Sequence, residues 1–418
     1  MRCAALFAGI FSALNFIAVP VRAAGEAVPL VEQHFQAGTL AAGATALEGM
    51  LKKNPGDDQA RFALGTLQFV RSVEGLSQAL YRYGFLNGVR RTAPLLMLGG
   101  NLPIPNNPQA AELDYEQARQ IVQSFVSGLE AAEATLAKID SDAVKLPLHF
   151  GLIRLDFDGD GQARDDETLW KIYAGFNERA GVSAEDAQAF VITFDAADVH
   201  WLRGYCHLLM ALGEIKLAHD WHELFERVGH LLFARPKTPY PYLVEPVPGA
   251  ERPLSVEGFT DLIALIHLVN FPVAEPQRMA AALGHLEAMA ALSRRSWDLI
   301  LKETDDDHEW IPSPRQTGVI PNVRVTQEMI DAWRMFLSEA ELILKGEKLV
   351  PFWRGGQAHG VNLRKVFIQP RPFDLVLWAQ GTGATPYLAR GTLTDRAVWD
   401  RLLRVFQGEF IGFALWFN

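Results

Sequence analysis

The sequence predicts a mainly α-helical protein: a multi-helix body of antiparallel helical hairpins, followed by a small β or irregular C-terminal region. Three observations carry this reading. Apolar residues recur every three or four positions over long stretches, as in Ala118, Ile121, Val122, Phe125, Leu129 and Leu136, a spacing that lines up one side of a helix. Clusters of proline, glycine and asparagine cut the chain between such stretches. From residue 346 onward the periodic pattern gives way to short apolar runs around a glycine loop. With 418 residues, 49% hydrophobic and 21% charged, the chain has ample material for a large core and none of the bias of a disordered or collagenous polymer.

The elements follow in order. Residues 1–23 combine an early positive charge (Arg2), an apolar run from Ala4 to Val19, and a small-residue exit at Val21-Arg22-Ala23, the three-part pattern of a secretory signal peptide. The run is short for a bilayer span of ~20 residues, and no other stretch is long and apolar enough. An exported protein, periplasmic or secreted and without a membrane span, is therefore expected. Cleavage would remove two arginines and move the formal charge from −10 to −12. That excludes the basic footprint of a nucleic-acid binder. Cys206 would then be the remaining cysteine, so packing rather than an internal disulfide must hold the fold.

Residues 24–98 read as a helical hairpin. Leu47 and Leu51 lie four apart, Asn54-Pro55-Gly56-Asp57 breaks the helix, and Ala60, Leu64, Gly65 and Leu67 start the next. This turn, followed by Ala-x-x-x-Leu-Gly, resembles the turn of tetratricopeptide repeats. The likeness covers about forty residues. With no further copy at a fixed period a full solenoid is not expected, but the resemblance implies a helical layer with a protein-interaction surface. Residues 99–108, with three prolines and two glycines, form a loop. Within 109–235, helices are expected at about 112–138, 143–155, 165–179, 184–192, 196–218 and 220–233. After the proline-rich break at 236–253, the 254–345 region carries helices at about 256–271, 275–303 and 326–345. In 346–418, strands are expected at 348–353, 361–367 and 373–379, packed as a cap on the body.

The most specific motif lies at 156–167: Asp-Phe-Asp-Gly-Asp-Gly-Gln-Ala-Arg-Asp-Asp-Glu. It matches D-x-[DN]-x-[DN]-G-x₅-E at every constrained position. A hard cation such as Ca²⁺ needs six to eight oxygens in a flexible shell. Asp156, Asp158 and Asp160 supply alternate carboxylates, Gly161 allows the sharp turn, Gln162 offers its backbone carbonyl, and Glu167 closes the shell. Over about thirty residues the chain resembles the EF-hand family. That resemblance implies Asp156, Asp158, Asp160, Gln162 and Glu167 as metal ligands, with Ca²⁺ as the ion.

Two departures stand out. Ala163 replaces the branched aliphatic residue that pairs with a sister loop, and no sister loop is visible. Arg164 occupies a position that commonly contributes a ligand or a bound water. A lone loop acting as a structural clip is expected, with weak affinity on the order of 10⁻⁴–10⁻³ M.

Other constellations are less specific. His219, His222, Glu223, Glu226 and His230 place His and Glu three or four apart, a spacing that can chelate zinc. The segment reads H-E-x-x-E rather than H-E-x-x-H, and Trp221, Phe225, Val228 and Leu232 form a core stripe on its other side. The acidic 305–310 loop is a second possible cleft rim. No G-x-S-x-G elbow or phosphate loop is present. The sequence therefore points to a calcium-binding scaffold or binding module. Its rival is a metal-assisted hydrolase or other enzyme built on the His219/His222/Glu223/Glu226 helix or the 305–310 loop.

Overall fold

The computed structural model describes residues 30–86, 104–176, 183–245, 256–306, 308–319, 324–354 and 359–418. The expected leader over 1–23 lies outside the described residues, as do residues 99–103 of the 99–108 loop and the Gly355-Gly356 pair. The protein is mainly α. Helices α1 (Leu30–Ala37), α2 (Leu40–Lys53) and α3 (Asp58–Arg82) open it. The break between α2 and α3 is the predicted Asn54–Asp57 turn, and the Asp57 side chain caps α3 by accepting the Ala60 N–H at 2.9 Å. That satisfies one of the orphan donors at the helix start. A reciprocal capping box between Asp114 and Gln117 starts α4 (Tyr115–Leu136).

The predicted helix at 143–155 does not form. Its Leu146-Pro147-Leu148 segment is strand β1, followed by a 3₁₀ turn over Phe150–Leu152. Proline removes a donor that a helix interior needs, and Gly151 weakens the turn that follows. The predicted 165–179 helix begins as a 3₁₀ turn (Asp165–Glu167), and its α-helical part is α5 (Leu169–Phe176). Next come α6 (Ala184–Ala189), β2 (Ile192–Phe194), α7 (Ala196–Ala218) and α8 (His222–Val228). β1 pairs antiparallel with β2, Leu146 facing Phe194 and Leu148 facing Ile192.

Then α9 (Val256–Leu268) leads through β3 (Asn270–Phe271) into α10 (Pro276–Ile300) and α11 (Gln327–Leu344). The long helices pack in chain order, α2 on α3, α3 on α4, α4 on α7, α7 on α10 and α10 on α11. Cross-contacts fix their antiparallel sense. Arg119 reaches Leu217 O (2.8 Å) while Arg203 reaches Glu133 (3.0 Å). Arg278 pairs with Glu214 (3.1 Å) and His285 with His207 (2.9 Å). Arg294 meets Glu341 (2.7 Å) while Arg334 meets Asp298 (2.6 Å). Consecutive layers of hairpins thus bury one continuous core that includes Leu67, Val126, Tyr205, Trp297 and Trp333, as helices with one apolar face require.

From residue 346 the strands are shorter than predicted, and a further one forms beyond them. β4 (Val350–Pro351), β5 (His359–Val361) and, further on, β7 (Leu388–Arg390) form a three-stranded antiparallel sheet. Most of the strand predicted at 361–367 instead belongs to α12 (Leu363–Ile368). The third predicted strand shrinks to β6 (Phe373–Asp374), which pairs with β3, and continues as α13 (Leu375–Gln380). Asn362 and Asp374 cause both switches, because each side chain caps the following helix, at 3.2 Å to Lys365 N and 2.8 Å to Leu377 N. The chain then forms α14 (Arg396–Val405) and α15 (Phe410–Phe417). No helix among the described residues is long and apolar enough to cross a membrane.

Candidate metal centre

The 156–167 loop sits between β1 and α5, closed at its neck by a short antiparallel bridge. Leu155 N donates to Glu167 O at 3.3 Å, and Leu169 N donates to Ile153 O at 2.9 Å. Within it, backbone donors converge on two carboxylates. Asp156 accepts the N–H groups of Gly159 (2.7 Å) and Gly161 (2.9 Å), one on each oxygen. Glu167 accepts those of Phe157 (2.9 Å) and Arg164 (2.8 Å), again one on each oxygen. Gly161 has φ +85°, a conformation that costs a Cβ-bearing residue energy. The turn chemistry read from the sequence is therefore the chemistry that shapes the loop.

Of the predicted ligands, Asp156, Asp158 and Glu167 offer carboxylate oxygens that lie within 4.8 Å of one another. An ionised carboxylate has about four lone-pair sites, so both oxygens of Asp156 and Glu167 keep acceptor capacity beyond their backbone bonds. Asp160 does not join this group. One of its oxygens accepts Gln162 N–H at 2.8 Å and the other holds the Arg164 guanidinium. Gln162 is exposed.

Arg164 is bound to both Asp158 and Asp160, and its Nη2 lies 3.8 Å from Glu167. A positive charge at this place is what the carboxylates demand. Burial alone would raise Asp158, but the guanidinium and the Asp160 N–H hold it below the ordinary carboxylate value. Glu167 is shifted upward, chiefly by burial. The Arg164 side chain is 44% exposed, so it can swing into water without breaking packed contacts.

What docks the loop is invisible in its own twelve residues. Glu74 and Gln78, one turn apart on α3, face it. Glu74 accepts the Asp156 N–H (3.0 Å) and Gln78 donates to the Asp156 carbonyl (2.8 Å). Burial, with Asp156 and Glu167 close by, pushes the Glu74 carboxyl up to about 7. Ala163, which stands where a sister loop is normally met, meets the α1–α2 turn instead. A Cβ built on Gly38 would come within 2.1 Å of the Ala163 Cβ. Arg154 N also donates to Phe35 O at 2.9 Å. The first two helices thus fill the place of a second loop.

The histidine constellation does not assemble. His219 ends α7 rather than joining α8, and its ring bonds Ile215 O at 2.8 Å. His222 stacks on Tyr115 at 4.5 Å and lies 3.4 Å from Glu226. Glu223 pairs with Arg227, and His230 with Asp261. Among the described residues, the groups of three or more potential ligands contain no histidine.

The acidic 305–310 loop contributes differently. Asp305 pairs with Lys145, while Glu309 is buried and joins Asp195 and Glu303 in a second carboxylate group. Asp195 caps α7 through the Ala197 N–H (2.7 Å), and the neighbouring Asp198 is 7% exposed. Burial, with mutual repulsion adding to it, raises Asp198 well above the usual range and Glu303 to about 8. The Asp195 carboxyl is also raised, again chiefly by burial. A Glu303 carboxyl raised that far keeps its proton through neutral pH. No family model, curated protein or solved structure matches this chain.

Proposed function

We propose that the protein is an exported calcium-binding helical scaffold, in which the 156–167 loop holds Ca²⁺ through Asp156, Asp158 and Glu167. The Asp160 carboxylate and the Gln162 carbonyl would complete the shell once Arg164 leaves. The convergence of Asp156, Asp158 and Glu167 oxygens at a loop neck already tied by backbone hydrogen bonds carries this reading. A hard, oxygen-only, predominantly carboxylate site suits Ca²⁺, and a flexible shell tolerates it better than the strict octahedron of Mg²⁺. The ion would act as a clip. It would neutralise the loop's carboxylates and lock α5 and the α1–α3 layer to one another, since α5 continues from the loop and the α1–α2 turn and α3 touch it. The residue pattern at 1–23 supports export, and the exposed faces of the hairpin layers would present the surface for a protein partner.

The test is thermal. A ligand that binds only the folded state stabilises it by RT ln(1 + [L]/Kd), ~1.4 kcal/mol at ten times Kd. Calcium should raise the melting temperature of the wild type and leave Glu167→Gln unmoved, because the amide removes the charged closing ligand. Equal shifts in both proteins would refute the ligand assignment.

Arg164 yields a second expected result. Its guanidinium competes with the ion for Asp158 and Asp160. Arg164→Ala should therefore tighten calcium binding by roughly three- to fivefold, about the worth of an exposed ion pair. Calcium titrations of both proteins at matched ionic strength check this. Weaker binding by the variant would mean that the arginine supports the site rather than occupying it.

A further inference from the structure

Beside the neck of the loop lies a cavity of about 120 Å³. Interiors are close-packed, and voids of this size are few in any domain. Its wall is drawn from separate parts of the chain: Phe62 and Phe69 of α3, Leu155 and Phe157 of the loop neck, Trp201 of α7, and Trp310. All six side chains are at most 9% exposed.

These walls are pinned from outside and so cannot collapse inward cheaply. Phe157 N–H is held by Glu167 at 2.9 Å. The Trp201 indole N–H donates to Trp416 O (2.8 Å), and the Trp416 indole N–H donates to Trp310 O (3.1 Å). Trp310 also meets Trp201 edge-on with ring centroids 5.5 Å apart. A cavity with apolar walls of this kind stays dry, and one of ~150 Å³ engineered in another protein takes up benzene.

We propose that this cavity is a binding site for a small apolar molecule about the size of one aromatic ring. Thr66 and Asp198 also line the space, but none of their polar atoms is exposed to it, so water there would give up hydrogen bonds without replacement. An apolar ring regains the dispersion contacts that the void forfeits.

Fluorine NMR of fluorobenzene added to the full chain tests the site. The titration is run with chelator present, so that its outcome is independent of calcium binding by the 156–167 loop. A saturable bound signal is expected, with Kd on the order of 1 mM or tighter for a ligand of seven heavy atoms. Toluene should displace it. Val73→Leu and Leu202→Phe, which add bulk to two further wall positions, should each weaken binding roughly tenfold by filling the space. The Val73 change adds a single methylene, so it serves should the larger one unfold the protein. Absence of saturation up to about 5 mM, at which a site of that affinity would be mostly filled, overturns the proposal. So does binding unchanged in the folded variants.

Discussion

Phe417→Ala is expected to destabilise the protein by ~3–5 kcal/mol, the range for truncating a buried aromatic ring. Phe417 has no exposed surface. It meets Trp297 at 4.8 Å, Trp333 at 5.9 Å and Phe406 at 5.9 Å between ring centroids. The residues around it tie α15 to distant parts of the body. Trp416 bonds the Trp310 carbonyl (3.1 Å), and the buried Asn418 donates to Trp201 O at 2.8 Å. Removing the ring leaves a hole bounded by rigid indoles from α10 and α11, so little relaxation can offset the loss. Leu403→Ala, on the 55%-exposed side of α14, is the control and should cost under ~0.5 kcal/mol. Denaturant unfolding of both variants measures the difference. A Phe417→Ala cost below that of an ordinary surface change would mean that α15 is not part of the core.

A second large effect concerns pH. Asp195, Asp198 and Glu303 all have carboxyls raised in the folded state, Glu303 to about 8. In the unfolded chain these groups lose their protons near pH 4 to 4.5. Above that range the folded state binds more protons than the unfolded one, so stability falls as pH rises. For Glu303 the fall continues until about pH 8. With chelator present, the wild type should therefore melt lower at pH 8 than at pH 5.5, and Glu303→Gln should narrow that gap. The amide keeps an oxygen to accept the Gln316 N–H, 3.2 Å away in the wild type. A gap that Glu303→Gln leaves unchanged would contradict the raised Glu303 carboxyl.

The helical body was legible because its signals are local. α7 spans 196–218 as expected because Asp195 announces its start, and α3 begins where the Asn54–Asp57 turn says it should. Segments depart from their local pattern where a distant partner or a side-chain cap decides. Leu146, Pro147 and Leu148 become a strand only because Ile192, Thr193 and Phe194 pair with them across more than forty residues. Asn362 and Asp374 were readable as caps but lay within apolar runs that resembled strands.

The same distinction applies to the sites. The loop's turn chemistry is contiguous in sequence, so Asp156, Asp158 and Glu167 could be named from spacing. Glu74 and Gln78, which dock that loop, carry no signal of their own. The Asp195–Glu303–Glu309 cluster arises only when α7 and α10 pack side by side and bring residues about a hundred positions apart together. Asp160 shows the limit of spacing arguments, because the nearby Arg164 decides which way its carboxylate turns.

The most direct test of a cation held by the 156–167 loop is calorimetric titration of chelator-treated protein with calcium, run beside magnesium. One calcium ion per chain should bind with Kd near or below the millimolar range, ahead of magnesium, as a lone extracellular-type loop would. Absence of binding up to about 10 mM calcium, well above that range, or equal binding by Glu167→Gln, would contradict the account.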